Sequence, residues 1–334
     1  MSKKNNFVIC SLVFFGMTSC YRPPDCTDQT GIEVPCRWEI PIKEGMTTED
    51  PFCFLWWEAL NDPTLTSLIV EASTRNKDIL LASLGSEDTL LKAVNEVSVE
   101  VAKNYMEFRG LQMQLKVLKE NIKAQDEILT INKGLSTRGF FSSVKENEDQ
   151  KNLDSFLMQK SLIEFSMEKT TFHLSVLLGY APGALNEVLC QAKDLPELAC
   201  NIPIGSPMEL ICRHPTVQQA RKGYAATGSE EMLYQYQKAI LSALEGAETA
   251  LAAFNYERDK IHYLENKKHL KEESYQLIKD LYKQGLKDDR DVLLAYQELL
   301  SEEDALIQGN IELLTSYVDL YDALGSHAWK VCCD

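Results

Sequence analysis

The chain repeats itself once, at a fixed offset of 146 residues, and no other property limits its fold as much. Residues 95–179 lie over 241–325 without a gap. Phe108 falls on Phe254, Leu118 on Leu264, Glu127 on Glu273, Leu135 on Leu281, Gly139 on Gly285, Leu153 on Leu299, and Leu178-Gly179 on Leu324-Gly325. Identity between the copies is thin, so the argument rests on shared punctuation. Each copy has a glycine midway and a closing Leu-Gly, and neither has an insertion. Two copies of one unit imply a duplicated architecture.

The spacing of apolar residues says what the unit is. Val94, Val97, Val101, Tyr105, Phe108, Leu111, Leu115, Leu118, Ile122 and Leu129 follow in steps of three and four with one longer skip, as on one face of a long helix. After Gly139 a second helix returns through Val144, Leu153, Leu157, Leu162, Phe165, Phe172 and Leu177 to Gly179. The second copy follows the same plan, with its turn at Gly285 and a return through Val292, Leu299, Leu306, Leu313 and Leu320. Some fifty residues of helix would be about 75 Å long. A shorter helix precedes each long one. The first opens at Asp62-Pro63 and runs on toward Leu84, and the second opens at His214-Pro215. No segment in either copy alternates like a strand. The expected fold is all-α: two tandem repeats, each a short helix plus a long antiparallel helical hairpin.

The expected divisions are a leader over 1–19, an extended Cys- and Pro-rich tether over 20–60, helical repeat 1 over 61–185, a connector over 186–212, helical repeat 2 over 213–328, and a tail over 329–334. Lys3 and Lys4 precede an apolar run at 7–17, which suits a signal-peptide core and is too short to span a bilayer. Met17-Thr18-Ser19-Cys20 looks like a lipoprotein box, with Cys20 the lipidated residue; an ordinary signal peptide or an N-terminal membrane anchor is the alternative. The remaining cysteines, Cys26, Cys36, Cys53, Cys190, Cys200, Cys212, Cys332 and Cys333, avoid both hairpins and suit disulfides of open pairing in an oxidising compartment. A net charge of −16 argues against nucleic-acid binding, which needs clustered Lys and Arg. Neither a Gly-rich phosphate loop, a Gly-x-Ser-x-Gly elbow nor a metalloprotease helix is present, so no catalytic residue, cofactor or metal is expected.

Several segments, taken in order, are similar to the outer-membrane factor family, the TolC-like exit ducts of efflux and type I secretion, and to its lipid-anchored branch. They are Trp56-Trp57-Glu58-Ala59-Leu60-Asn61-Asp62-Pro63-Thr64-Leu65, Glu100-Val101-Ala102-Lys103-Asn104-Tyr105, Val176-Leu177-Leu178-Gly179-Tyr180-Ala181-Pro182-Gly183, Arg213-His214-Pro215-Thr216-Val217, and Tyr282-Lys283-Gln284-Gly285-Leu286 through Asp291-Val292-Leu293. The resemblance implies a homotrimeric helical duct in the periplasm, held to the outer membrane and working with a periplasmic adaptor protein and an inner-membrane pump. It also implies a strand hairpin in each repeat, between the short helix and the long one. Here those places hold only Gly85-Ser86-Glu87-Asp88 and Gly228-Ser229-Glu230-Glu231, with no room for a transmembrane strand of roughly ten residues. The barrel is therefore expected to be missing. A non-transporting coiled-coil envelope lipoprotein, acting as a structural or interaction module, is the alternative function.

By the same resemblance the hairpin tips dock the adaptor, through Arg138, Gly139 and Phe140 in the first copy and Gly285, Leu286, Asp288, Asp289 and Asp291 in the second. The plainer alternative is a solvated turn, with Asp291 capping the return helix. Trp56 and Trp57 either anchor the tether at a membrane surface or pack against the hairpins. His262 and His269 fall on a solvated helix face, and His327 with Cys332 and Cys333 forms a conceivable metal tail.

Overall fold

A computed structural model describes residues 30–48, 55–138, 143–198 and 201–325. The leader 1–19, Cys20, Cys26, Cys53, Gly139, Phe140, Cys200 and the tail with His327, Cys332 and Cys333 lie outside the described residues. The long helices are α3 (Glu87–Thr137), α4 (Ser143–Leu177), α8 (Glu230–Lys283) and α9 (Asp289–Ala323). The short ones are α1 (Pro63–Arg75), α2 (Lys77–Ala82), α5 (Asn186–Leu189), α6 (Pro207–Arg213) and α7 (Pro215–Thr227). Helix α3 packs on α4 and α9, and α9 packs on α8. The four long helices thus form a row in the order α4, α3, α9, α8, joined through the inner helix of each copy.

The copies begin alike. Ser86 and Ser229 each lie in extended backbone and cap a long helix by accepting from a main-chain N–H three residues on, with two acidic residues in the first turn. The preceding turns are short: 83–86 joins α2 to α3, and Gly228-Ser229 joins α7 to α8. Neither copy has a strand between its short and long helices. Both expected hairpins also close tightly where a glycine demands it. Gly179, at φ +74°, allows its own N–H and that of Tyr180 to reach the carbonyls of Val176 and Ser175, each at 2.9 Å. A Cβ there would also collide with the Arg75 carbonyl oxygen, at 2.5 Å.

Repeat 1 departs from the expected uninterrupted short helix, because Asn76 breaks it into α1 and α2. The Asn76 side chain accepts from Asp78 N at 2.8 Å and Ile79 N at 3.1 Å, capping α2, while its Nδ2 donates to the Leu177 carbonyl at the end of α4. A residue that satisfies two helix ends at once is worth more there than one further turn of continuous helix.

The tether and connector form a girdle around the row. Their contact includes a parallel two-residue pair, β1 (Met46–Thr47) with β2 (Ile202–Pro203), too short to register as periodicity. Trp38 Nε1 donates to Gly205 O at 2.9 Å, joining tether to connector, while Tyr317 Oη donates to Trp56 O and Tyr321 Oη to Pro203 O, at 2.8 and 2.9 Å, tying both segments to α9. Trp56 and Trp57 are both buried in this main core, edge to face, which makes them packing residues. Tyr105 Oη donates to Asp62 Oδ2 at 2.6 Å, and burial, then that hydrogen bond, pushes the phenol up to about 12. Cys212 is disulfide-bonded, whereas Cys36 and Cys190 are free and exposed.

Asn76→Ala removes the α2 cap and leaves the Leu177 carbonyl unpaired, and should cost about 2 kcal/mol. A urea unfolding midpoint that stays at the unsubstituted value would contradict this account.

Candidate functional site at the tips and along the helix row

The second tip is described in full. Helix α8 ends in a Schellman turn: Gly285 at φ +76° donates to Tyr282 O and Leu286 N to Leu281 O, both at 2.9 Å. Nothing lies within 4 Å of a Cβ placed on Gly285, so the glycine is needed for its backbone conformation alone. The return helix starts with a reciprocal cap, in which Asp288 Oδ1 accepts from Asp291 N at 2.9 Å and Asp291 Oδ2 faces Asp288 N at 3.5 Å. Lys287 Nζ lies 3.3 Å from Asp291 Oδ2, and the Tyr282 hydroxyl, held above its ordinary range, donates to Asp289. Each of the three aspartates therefore has a partner within the turn. Four aspartates between residues 279 and 291 are matched by Lys279, Lys283, Lys287 and Arg290, so the tip carries no excess negative charge. Leu286 is the apolar side chain that it exposes. In the first copy Arg138 ends α3, its N–H donating to Leu135 O.

The outer edges of the row have a property that the apolar pattern alone obscured. Along α4, Met158, Leu162, Phe165, Phe172 and Val176 are exposed, while Ile163, Leu174 and Leu177 are buried. Leu162 and Phe165 thus belong to a second apolar stripe, off the buried face, whereas Phe172 and Val176 line an open cleft with Asn104 and Glu107 of α3. Along α8, Tyr256, Tyr263, Leu270 and Leu277 are exposed at steps of seven. A stripe at that spacing lies along one side of a helix, as coiled-coil packing requires. Sequence spacing merges the two faces of α4; only the position of α3 separates them.

The seam between α3 and α9 is mixed in character. Gly110 sits so close to α9 that a Cβ would overlap Ile311, while Val117, Leu300 and Ile307 form a small apolar cluster farther along. Between and beyond them run polar rungs: Lys103 to Asp319, Gln114 to Gln308 at 3.5 Å, and Gln297 Nε2 to Gln125 Oε1 at 3.1 Å. Asp304 faces this seam. Burial holds its carboxyl above the usual range, partly offset by a hydrogen bond from Gln114. None of these polar residues stood out in the sequence, because Gln, Asn and Asp at such positions look like an exposed face. His262 and His269 are exposed on α8, beside Asn266 and Glu273 respectively.

Two measurements test this geometry. Asp288→Ala should cost about 1 kcal/mol through loss of the cap, with faster hydrogen exchange confined to the first turn of α9; uniform exchange along α9 would contradict it. A raised Asp304 pKa means that the folded state holds the proton more tightly, so this residue lowers stability as pH rises through the unfolded and then the folded value. Asp304→Asn should therefore raise the thermal midpoint at pH 7, with the gain disappearing below the ordinary carboxylate range; an equal gain at both pH values would rule out this origin.

Residues 211–326 match the sequence profile described as outer membrane efflux protein. No curated protein matches the sequence. Solved structures extend the likeness to most of the chain. The outer-membrane channel OprN is 17% identical, with a TM-score of 0.74 over 92% of this chain and 98% of its own. The Campylobacter jejuni outer membrane channel CmeC is 14% identical, with a TM-score of 0.68 over 87% and 90% respectively. The open state of the Neisseria gonorrhoeae outer membrane channel MtrE is 15% identical, with a TM-score of 0.66 over 89% and 98%. The profile match is confined to the second repeat, and along the rest of the chain it is the fold that is shared with these outer-membrane channels.

Proposed function

We propose that this chain is the periplasmic helical duct component of a tripartite efflux or type I secretion system: a homotrimer, lipid-anchored at Cys20 to the outer membrane and facing the periplasm. Its action is passive. Three rows of four helices close into a tube, and cargo moves along it without bond chemistry. The proposed adaptor contacts are Arg138, Gly139, Phe140, Gly285, Leu286, Asp288, Asp289 and Asp291, with the adaptor leading to an inner-membrane pump. The relatives named above as outer-membrane channels support this reading.

The observation that carries it is the pair of unmatched stripes. A single row leaves Met158, Leu162 and Phe165 of α4 and Tyr256, Tyr263 and Leu270 of α8 in water, on opposite edges. Joining the α4 edge of one copy to the α8 edge of the next covers both, and repetition around an axis closes a ring with no edge left over. The two helices run in opposite directions, as already paired neighbours within each hairpin do.

One observation favours the alternative of a non-conducting envelope module. The turns at 83–86 and 228–229 hold no strand, and backbone that crosses lipid must have its hydrogen bonds satisfied. Among the described residues no helix is long and apolar enough to cross a membrane. The duct reading therefore assigns this chain the periplasmic tube and no bilayer pore. Mass measurement in solution should give three times the 37.8 kDa chain, less any processed leader. The double variant Leu162→Glu/Phe165→Glu should reduce that to one copy with unchanged helical circular dichroism. A monomeric unsubstituted protein would sink the duct, and steady single-channel conductance from the pure protein would sink the poreless assignment.

A further inference from the structure

The end of the row that carries the α2–α3 turn exposes a small apolar cluster. Ile79 of α2 points inward and is buried, while Leu80, Leu81 and Leu84 point away from the protein, Leu81 at 67% and Leu84 at 84% exposure. They belong to α2 and the turn before α3, and are separate from the outward stripes along α4 and α8. The neighbouring turn of the second copy stands at the same end, because Lys222 of α7 reaches Asp88 at the start of α3, Nζ to Oδ2 at 2.8 Å.

The described N-terminal segment begins near this same end. Gln237 Nε2 donates to the Thr30 carbonyl at 2.7 Å, only seven residues into α8 and so about 10 Å from its start. Thr30, the first described residue, is buried there, with Ile32 and Val34 packed against the cluster of Val217, Tyr236 and Ile240. The segment upstream of Thr30 includes the apolar run at 7–17 and Cys20. Ten residues span at most about 35 Å. A lipid on Cys20 is thus tethered to the end of the row where the leucines are exposed.

We propose that Leu80, Leu81 and Leu84 form a second membrane contact, inserting into the surface of a zwitterionic phospholipid leaflet. The proposal rests on the anchored reading above for its geometry, and deepens it. An apolar tip beside the anchor adds a second point of contact with the bilayer. The tip also holds the protein upright, because an anchor alone fixes one point and leaves the long axis free to tilt. Beside the paired Lys222 and Asp88, Glu87, Glu230 and Glu231 lie in the first turns at this end and disfavour an anionic surface.

The test uses the full chain bound to vesicles of phosphatidylethanolamine and phosphatidylcholine containing brominated acyl chains. Leu84→Trp should show quenched tryptophan emission beyond that of the unsubstituted chain, and Leu286→Trp at the opposite tip should not. Replacing a third of the lipid with phosphatidylglycerol should weaken the quenching. The variant Leu81→Glu/Leu84→Glu should leave the vesicles at least about tenfold faster. Overturning results are the absence of excess quenching at residue 84, equal quenching at 84 and 286, or a doubled mass in solution that Leu81→Glu/Leu84→Glu abolishes, which would assign the tip to a second copy. Because quenching is read from vesicles and assembly from mass, loss of one leaves the other intact.

Discussion

Everything else in the molecule depends on the contact between α3 and α9, the inner helix of each copy. A lone helical hairpin buries one face of each helix and leaves the other face unsatisfied. Here the inner helices meet across the repeat boundary, with Gly110 letting Ile311 approach the α3 backbone and Val117, Leu300 and Ile307 sealing the seam farther along. That join turns two hairpins into one row and defines which helices become edges. The polar rungs at Lys103–Asp319, Gln114–Gln308 and Gln125–Gln297 set register, since each needs its partner at one height. Apolar contacts alone would tolerate sliding by one heptad.

Duplication followed by an inner join makes the two edges unlike. If the row were perfectly symmetric, both edges would present the same helix, and copies would associate about a twofold axis. Instead α4 lies on one side and α8 on the other, and their apolar stripes have different residues: Phe and Met on α4, Tyr and Leu on α8. Unlike edges join head to tail. Such interfaces make rings when the rotation closes, and open filaments when it does not.

Periodicity made the long helices legible. Ser86 and Ser229 as caps and the paired Leu-Gly closures were readable because each depends on residues within one turn. What could not be read was the assignment of faces. Leu162 and Phe165 follow helical spacing as faithfully as Leu174 and Leu177 do, yet only the latter are buried. The break at Asn76 escaped notice because its second partner, Leu177, is a hundred residues away. The cap at the second tip is half legible: Asp291 reads either as tip charge or as the capping residue, and the structure gives the N-cap to Asp288 with Asp291 as its reciprocal partner. The polar seam around Asp304 was invisible for a related reason: buried Gln and Asp are recognised by what faces them.

The N-terminal strap adds a constraint of timing. Residues 30–44 run beside α8 in the same direction, from Thr30 at Gln237 through Glu39 at Glu248 to Glu44 at Arg258, covering about 31 Å of helix. The binding surface for the first described residues is made roughly two hundred residues later, a separation of 207 for the Thr30 contact. A chain that emerges N-terminus first therefore holds the strap unpaired until roughly two hundred further residues have followed it. During that interval Ile32, Val34 and Trp38 have no native neighbours, and the first hairpin, whose contacts are local, closes without them. The strap is thus the last part of the chain's beginning to fold, and its docking marks the moment at which both copies are complete.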